Sequence, residues 1–261
     1  MGVTESRVID GVMTITLNDV ERRNVISRAL LEELVELVEV ADASPDVRVV
    51  VLTNNGGVFC AGANLAEFSA TGASSGTGTI ERSELFMRIR QSPKPWVGRI
   101  HGHCMGGGVG LAAVMDISVA VDTSRFAFSE VRLGVSPAVI SVVVLAKISL
   151  ADAQEHFLRG DRFHAERAAQ MGLINQSVSE EALDATIASI VNDLLAGAPG
   201  AIAVTKQLAM KVPRLSVDEA FAWTAQISAE RFASDEAREG MAAFFEKRAA
   251  PWVRRLPEHG T

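Results

Sequence analysis

Two glycine-rich segments are the parts of the sequence whose residue types suggest chemistry. Residues 59–65 read Phe-Cys-Ala-Gly-Ala-Asn-Leu, and residues 102–108 read Gly-His-Cys-Met-Gly-Gly-Gly. Glycines at a helix start let the backbone approach a ligand closely and leave N–H groups unpaired at the positive end of the helix dipole, where they bind anions. A tight turn without a ligand is the alternative for each segment alone. Two such segments in one chain favour the anion site.

Other catalytic and binding motifs fit the sequence poorly. It has no G-x-G-x-x-G and no Gly-Lys-Ser/Thr, and no acidic residue at a clear strand end follows the 106–110 glycine run about twenty positions on. Ser136 lacks the closing glycine of a hydrolase nucleophile elbow. His103 and Cys104 are adjacent in a segment expected to be extended, so their side chains point to opposite faces and do not pair. The histidines show no metal-ligand spacing, so we expect no metal.

The charge balance argues against nucleic acid as a partner. The 261 residues include 25 Lys and Arg against 32 Asp and Glu, a net charge of -7, whereas nucleic-acid binders carry a basic face. An anionic ligand would therefore need a local cation cluster, such as Arg22-Arg23 or Lys247-Arg248. The composition is that of a folded globular protein, and the length suits one main α/β domain.

Nothing in the sequence predicts export or a membrane span. Residues 1–16 show no basic region followed by an apolar stretch, and the most apolar run, 135–148, is short and interrupted by Pro137. Cys60 and Cys104 have no paired spacing, so we interpret them as free thiols. We therefore expect a cytoplasmic protein with no membrane partner.

Hydrophobic periodicity predicts the elements that must position the glycine-rich segments. Residues 12–17 alternate as a half-buried strand does, and 47–53 is a β-branched run typical of a strand covered on both faces. Between them, Ser27 is a candidate N-cap for a helix whose apolar residues recur at spacings of three and four. The further predicted elements are a strand at 96–101, a helix at about 106–115 and a strand at 117–121.

The C-terminal third has a different pattern. From about Ser149 onward it is predicted to be wholly helical, with N-cap signals at Ser149 and Ser216. Ala220, Trp223 and Ile227 form one apolar stripe. Helices left over after a sheet is covered commonly bury such stripes on a symmetry mate, so we expect a homo-oligomer.

Residues 69–79 are small and polar, with nothing large to pack, and predict a loop whose backbone moves easily. Two interpretations stay open for this loop. One is a tolerated surface insertion. The other is a lid or acyl-chain gate, which its position after the first glycine-rich segment slightly favours.

Five segments, in order, carry a resemblance to a known family. Residues 59–65 match an F-x-A-G-A-D-[IL] loop apart from Asn64, and residues 101–111 match an x-G-x-[AC]-x-G-G-G-x-[EG]-L segment. The other three are Arg22-Arg23-Asn24, similar to R-x-N-[AS]-[LI]; residues 128–134, similar to F-x-x-[PS]-E; and residues 239–248, similar to E-G-x-x-A-F-x-E-K-R. Together they span nearly the whole chain, which resembles the enoyl-CoA hydratase/isomerase (crotonase) superfamily.

The resemblance implies an α/β fold, namely a crotonase-like spiral of β-β-α turns with a C-terminal helical trimerisation layer. Residues 1–195 would form the spiral core with the CoA and oxyanion site, and residues 196–261 the helical oligomerisation region of a homotrimer or dimer of trimers. The implied ligand is an acyl-CoA thioester of fatty acid metabolism. Coenzyme A is part of that substrate, and no separate cofactor is expected.

The resemblance also implies roles for particular residues. Ala63 and Gly107 match the residues whose N–H groups form the oxyanion hole, and Glu130 matches the catalytic glutamate. The substrate-binding positions carried over are Arg22, Arg23, Ala61, Asn64, Leu65, Gly106, Pro137, Ala138, Phe244 and Lys247. The arginines match a segment bordering the CoA adenine and phosphates, while Phe244 and Lys247 match residues that reach the CoA of a neighbouring subunit. Without this context, Glu130 would be interpreted as a solvated acid at a strand end.

Gly110 is the departure from the family pattern that bears most on the reaction. It occupies the place where two-glutamate hydratases have their other carboxylate. The strings around Gly110 and Glu130 resemble a hydratase-like subgroup, and a single glutamate also resembles isomerases that shift a 3-enoyl double bond. We favour an enoyl-CoA hydratase, with the isomerase as first alternative and a non-catalytic acyl-CoA binding protein as second. Provided the pocket has room, Gly110→Glu is expected to raise hydration relative to isomerisation.

Overall fold

The fold is described for residues 2–65, 67 and 77–256 by a computed structural model. Its elements in chain order are β1 (Thr4–Ile9), β2 (Val12–Leu17), α1 (Arg28–Ala43), β3 (Val49–Asn54), β4 (Val58–Cys60), α2 (Thr77–Gln91), β5 (Trp96–Ile100), β6 (His103–Met105), α3 (Gly107–Val114), β7 (Ile117–Val121), β8 (Arg125–Ala127), a 3-10 helix (Ser129–Leu133), α4 (Ala138–Val144), α5 (Leu150–Arg159), β9 (Arg162–His164), α6 (Ala165–Gln170), β10 (Gln176–Val178), α7 (Glu180–Ala196), α8 (Pro199–Lys211), a second 3-10 helix (Val212–Arg214), α9 (Val217–Phe232) and α10 (Asp235–Phe245).

The strands form two sheets that the chain visits alternately. The larger has the order β1-β2-β3-β5-β7-β10, and the smaller has the order β4-β6-β8-β9. Successive pairs β3-β4, β5-β6 and β7-β8 each give one strand to each sheet, and these neighbours pair in parallel within both sheets. Such an alternation is the spiral of β-β-α turns that the family resemblance implies.

Strand β3 shows how the core is built on both faces of the larger sheet. Val50 and Leu52 pack into the main hydrophobic core. Val49 and Val51, which alternate with them, belong to a second cluster formed with α7. All six residues of β3 are buried, so the prediction of a strand covered on both faces is confirmed.

The predicted helix starts are confirmed by their caps. The Ser27 hydroxyl accepts a hydrogen bond from the N–H of Leu30 at the start of α1, and Ser149 caps α5. Ser216 forms a reciprocal capping box with Glu219 at the start of α9. These local interactions satisfy donors that have no partner within the helix.

The prediction that the chain is wholly helical after Ser149 is wrong. Strands β9 and β10 interrupt the helices, β9 pairing antiparallel with β8 and β10 pairing parallel with β7 at the end of the larger sheet. Each has three residues. A strand of that length shows no measurable alternation of apolar and polar residues, so its sequence carries no periodic signal.

The predicted loop at 69–79 lies mostly outside the described residues, which resume at position 77. Residues 77–79 belong to α2, so the loop was predicted too long at its C-terminal end, while its role as a lid or an insertion stays a prediction. No single helix in the described part of the chain is long and apolar enough to cross a membrane, and the pair α7 and α8 with the adjoining 3-10 turn passes that test only together, with a bend of 109°.

Candidate active site

The two glycine-rich segments meet at the backbone N–H groups of Ala63 and Gly107. Ile26 pairs with the residues on either side of Ala63: its N–H donates to the Gly62 carbonyl at 2.7 Å, and its carbonyl accepts from the N–H of Asn64 at 3.3 Å. This pairing directs the Ala63 N–H to the other side of the segment. No backbone hydrogen bond within the described residues uses it.

Gly107 brings a second N–H to the same place, also without a backbone acceptor among the residues described. It is the first residue of α3, where an N–H has no intrahelical acceptor. A Cβ placed on Gly107 would lie 3.7 Å from the amide nitrogen of Ala63, and a Cβ placed on Gly62 would lie 3.3 Å from that of Gly107. The two N–H groups are therefore neighbours and can bind one oxygen atom together. We refer to them as the oxyanion hole.

Close backbone contact explains why glycine is needed in both segments. Gly62 has a φ of 89°, and a Cβ there would lie 2.7 Å from the Met105 carbonyl oxygen. A Cβ on Gly108 would lie 2.2 Å from the Cys60 carbonyl oxygen. Any side chain at these positions would push the segments apart and separate the two donors.

Glu130 lies beside the oxyanion hole, on the 3-10 helix that follows β8. A Cβ placed on Gly106 would lie 3.1 Å from its Oε1 atom. Its Oε2 atom is buried and accepts no hydrogen bond within the described part of the chain. Burial raises the pKa of the Glu130 carboxyl above its ordinary value, because the charged form is less well solvated. The carboxyl is thus suited to exchanging a proton with a ligand atom held near the donors.

The position of Gly110 is closed by apolar side chains. Gly110 lies one helical turn after Gly106 on α3 and is buried. A Cβ there would lie 2.4 Å from Cγ2 of Ile140 on α4 and 3.1 Å from Cε2 of Phe86 on α2. The condition attached to Gly110→Glu, that the pocket has room, therefore fails. A glutamate at this position requires Ile140 to move.

The Arg22-Arg23 turn is attached directly to the loop of the oxyanion hole. The Arg23 carbonyl accepts a hydrogen bond from the N–H of Ala61 at 3.1 Å. Both arginines are exposed, and the Arg22 side chain has a distant ion pair with Asp19, at 3.9 Å. Their guanidinium groups are therefore available to the part of a bound ligand that extends out of the hole.

Asn24 is a positioning residue that was not among the predicted site residues. It is buried, and its Oδ1 atom accepts from the N–H of Asp19 at 2.8 Å. Its Nδ2 group donates to the carbonyls of Asn55 at 3.2 Å and Val58 at 2.8 Å. The side chain thus joins the arginine turn to the strand that precedes the hole. The signal in the sequence was the asparagine that follows Arg22-Arg23 in the R-x-N-[AS]-[LI] match. Its φ of 51° is tolerated by this residue type.

Apart from two, the predicted site residues lie on the glycine-rich segments or on elements that contact them. Ala61, Asn64 and Leu65 belong to the loop of the hole, and Gly106 precedes the donor residue Gly107. Pro137 is buried and Ala138 is exposed at the start of α4, the helix that carries Ile140. Their roles in binding stay predictions.

Phe244 and Lys247 are the two that lie apart. Both are exposed near the C-terminal end of α10. Within the described residues, no hydrogen bond or ion pair joins either of them to the oxyanion hole. A role at the site would require a second copy of the chain.

Alternatives based on thiols or metals find no support in the geometry. His103 is exposed and Cys104 is buried on strand β6, which confirms that they face opposite ways. Burial also raises the pKa of the Cys104 thiol well above its usual range, so it is a poor nucleophile. The described residues include no group of three or more His, Cys, Asp or Glu placed to hold a metal ion.

Comparison with known proteins assigns the chain to a family. A family model described as enoyl-CoA hydratase/isomerase matches residues 7–255. The chain belongs to this family. An enoyl-CoA hydratase of Alternaria alternata is 35% identical over 209 residues, which are 80% of this chain and 70% of the relative. A mevalonyl-coenzyme A hydratase of Aspergillus fumigatus is 32% identical over 245 residues, which are 92% of this chain and 91% of the relative.

A solved structure supports the same family through the fold. The crystal structure of an enoyl-CoA hydratase from Mycobacterium smegmatis matches with a TM-score of 0.92 and 29% identity, covering 97% of this chain and 99% of that one. The mixed α/β spiral with a helical C-terminal region is therefore the crotonase fold. Since relatives in this family are named for different acyl groups, membership alone leaves the acyl group open.

Proposed function

We propose that this protein is an enoyl-CoA hydratase that adds water across the double bond of a 2-enoyl-CoA thioester. The observation that carries the proposal is the position of Glu130, whose Oε1 atom lies beside Gly106 at the edge of the oxyanion hole. Its other oxygen is buried without a hydrogen bond in the described part of the chain. A carboxylate oxygen and two N–H donors that lie side by side without partners among the described residues are typical of a catalytic site.

The oxyanion hole would stabilise the charge that develops during the reaction. The thioester oxygen would accept hydrogen bonds from the N–H groups of Ala63 and Gly107. As water adds to the β carbon, the double-bond electrons move to the α carbon and the carbonyl, and an enolate forms. Each preorganised donor in a site that excludes water contributes about 3 kcal/mol to the stability of such a transition state.

Glu130 would carry the proton in both halves of the reaction. Its ionised carboxylate takes a proton from water as the water oxygen bonds to the β carbon. The resulting carboxylic acid then donates that proton to the α carbon of the enolate, which completes the addition and restores the carboxylate. One carboxyl group is enough because the proton removed in the first half is the proton returned in the second.

An isomerase is the first alternative, and the surroundings of Gly110 favour it. Ile140 and Phe86 give this side of the site an apolar wall where a second carboxylate would help to hold water. In an isomerase, Glu130 would take a proton from the α carbon of a 3-enoyl thioester and return it to the γ carbon, with no water involved.

Relative rates on two substrates decide between the reactions. Hydration of crotonyl-CoA is read as loss of enoyl absorbance, and isomerisation of a 3-enoyl-CoA as its gain. We expect hydration to be the faster reaction. Rapid isomerisation with negligible hydration would assign the protein to the isomerases. Tight binding of enoyl-CoA esters with turnover of neither would support the second alternative, a non-catalytic acyl-CoA binding protein.

The proposal includes a bound CoA group and an oligomer. Arg22 and Arg23 would meet the CoA phosphates, since the backbone of Arg23 is joined to the loop of the hole. Phe244 and Lys247 would reach the CoA held by a neighbouring copy in a trimer or dimer of trimers. The CoA moiety belongs to the substrate, and the chemistry proposed for Glu130 uses no further cofactor.

A further inference from the structure

Two cavities that adjoin each other lie beyond the oxyanion hole. The outer cavity, about 930 Å³, begins beside Ala138 and Phe86, the residue that also closes the space around Gly110. The inner cavity, about 560 Å³, lies at the C-terminal end of α3, against Met115 and Asp116. Both are lined mainly by apolar side chains. An acyl chain bound at the hole would have to pass Phe86 and Ala138 to enter the outer cavity.

Two arginines stand where the cavities meet. Arg90, from α2, and Arg214, from the 3-10 helix after α8, line both cavities, together with Val143 and Met210. The chain as a whole is acidic, with a net charge of -7. Arg90 is partly buried and Arg214 is exposed to solvent, and together they bring two positive charges to the junction of two largely apolar cavities.

The other charged groups of the inner cavity are already paired. The Lys206 ammonium group forms an ion pair with Asp116 at 2.8 Å. Lys147 donates to the carbonyl of Met115 at 2.8 Å, where a cation also suits the negative end of the α3 dipole. Burial lowers the pKa of Lys147 to about 8, and the carbonyl contact accounts for its orientation.

Arg90 and Arg214 have no such partner. Neither guanidinium group takes part in an ion pair or hydrogen bond with any described residue. Burial lowers the pKa of Arg90, the nearby positive charge of Arg214 lowers it further, and Asp116 acts in the opposite direction. Since Asp116 is already ion-paired with Lys206, two cations held close together favour a ligand that places a negative group between them.

We propose that the acyl group of the natural substrate ends in a carboxylate, which Arg90 and Arg214 bind at the junction of the two cavities. This inference rests on the proposed function for the thioester end. Arginine is suited to the terminal group because its planar guanidinium binds a carboxylate with two hydrogen bonds.

The length of α3 indicates the size of the acyl chain. The hole lies at its N-terminus, and the inner cavity that Arg90 and Arg214 line lies at its C-terminal end. The eight residues of α3, at about 1.5 Å each, span roughly 12 Å. An extended chain of about ten carbons covers this distance. The substrate class is therefore a medium-chain 2-enoyl-CoA with a terminal carboxylate.

Calorimetric binding of two saturated esters tests the inference without turnover. Decanedioyl-CoA differs from decanoyl-CoA by its terminal carboxylate, and we expect its Kd to be lower by about tenfold or more. Arg90→Met and Arg214→Met should each remove most of this preference and leave the Kd of decanoyl-CoA nearly unchanged. Arg88→Met is the matched control, because Arg88 lies on α2 but is ion-paired to Glu39 and Glu84; it should keep the preference.

Equal affinity of the wild type for the two esters would overturn the inference. So would variants that weaken both esters alike, or that change the oligomeric state and leave the preference intact, since the arginines would then serve packing or a subunit contact. Turnover of 2-decenoyl-CoA is measured separately. If the binding preference for decanedioyl-CoA is present but no turnover is observed, the proposed function is contradicted and the carboxylate site is still supported.

Discussion

The spiral core and the C-terminal helices of this chain bury their apolar residues to very different degrees. Within the core, α3 buries every residue from Gly108 to Val114, and β3 buries all six of its residues. In contrast, α8 and α9 contain no buried residue, and α10 buries Ala243 alone. Yet these helices carry Phe221, Phe232, Phe244 and Phe245, which are 72%, 69%, 78% and 79% exposed.

Buried cations attach the C-terminal helices to the core. Arg48, next to β3, donates to the carbonyls of Gly197 at 2.6 Å and Trp252 at 3.0 Å. Lys206 of α8 donates to the carbonyls of Ile89 at 3.0 Å and Lys94 at 3.1 Å. A layer held in this way leaves its large apolar surface uncovered within one chain, which is typical of a surface that binds another subunit. The core thus holds the chemical groups, and the exposed apolar residues of the helices are the surface that the proposed oligomer would use.

The largest expected effect concerns Glu130 in the core. Glu130→Gln keeps the shape of the side chain and removes the base, so kcat on every enoyl ester should fall by roughly a hundredfold or more. The exposed Glu166 provides a control, and Glu166→Gln should leave kcat unchanged. A fall of less than tenfold in Glu130→Gln would implicate another proton carrier.

The same substitution should not destabilise the protein. Because burial raises the pKa of Glu130, the ionised carboxylate is disfavoured in the folded state, and the group lowers the free energy of unfolding at a pH above its folded pKa. The Tm of Glu130→Gln at neutral pH should therefore equal or exceed that of the wild type.

The raised pKa of Glu130 also predicts the pH profile of the wild type. On acidification, kcat/KM should begin to decline at a pH above the ordinary glutamate pKa, because the base becomes protonated there.

The next largest effect is expected at Gly110 and tests how tightly the core is packed around the site. Gly110→Glu drives a side chain into Ile140 and should destabilise the protein by at least about 2 kcal/mol, without a gain in hydration. Adding Ile140→Ala opens space and should restore part of the stability and raise hydration. A Cβ on Gly57 would meet nothing within 4 Å, so Gly57→Ala should change the unfolding free energy by less than about 0.5 kcal/mol in denaturant titrations. Full stability of Gly110→Glu would contradict this packing.

Substitution of the exposed phenylalanines of α9 is expected to weaken assembly clearly and to affect folding only slightly. Phe221 and Phe232 are eleven residues apart and so lie on nearly the same helical face. Phe221→Glu combined with Phe232→Glu should weaken assembly by about 3 kcal/mol or more in sedimentation experiments, with little change in the folding of each subunit. Gln226→Glu, a polar substitution on the same helix, should leave assembly intact. A wild-type protein that is monomeric at micromolar concentration and still turns over substrate would contradict the assignment of the C-terminal helices to assembly.

The smallest effects should come from the cations assigned to CoA. Arg22→Ala, Arg23→Ala and Lys247→Ala should each raise KM for CoA esters roughly threefold, with kcat less affected, because exposed charges act weakly through solvent. The increase should shrink at high salt. Arg7, exposed on β1, serves as the control. Unchanged KM in all three variants would make these residues ordinary surface.

Local signals in the sequence predicted those parts of the fold that depend on neighbouring residues. Ser27, Ser149 and Ser216 were recognised as caps, and the burial of β3 on both faces followed from its β-branched run. Strands β9 and β10 were missed because three residues carry no period, and their pairing partners are distant in the chain. Asn24 was missed as a positioning residue because its bonds reach Asn55 and Val58, contacts that no local pattern indicates.

The sequence by itself determined the family, the two glycine-rich donor segments and the candidate proton carrier, because these depend on residue type and order. Only the tertiary structure decided that the N–H groups of Ala63 and Gly107 are adjacent and that Ile140 fills the space at Gly110. It alone brought Arg90 and Arg214 to one cavity junction. Such relations depend on the packing of elements that are remote in sequence, and packing admits a side chain only where the neighbouring atoms leave room for it.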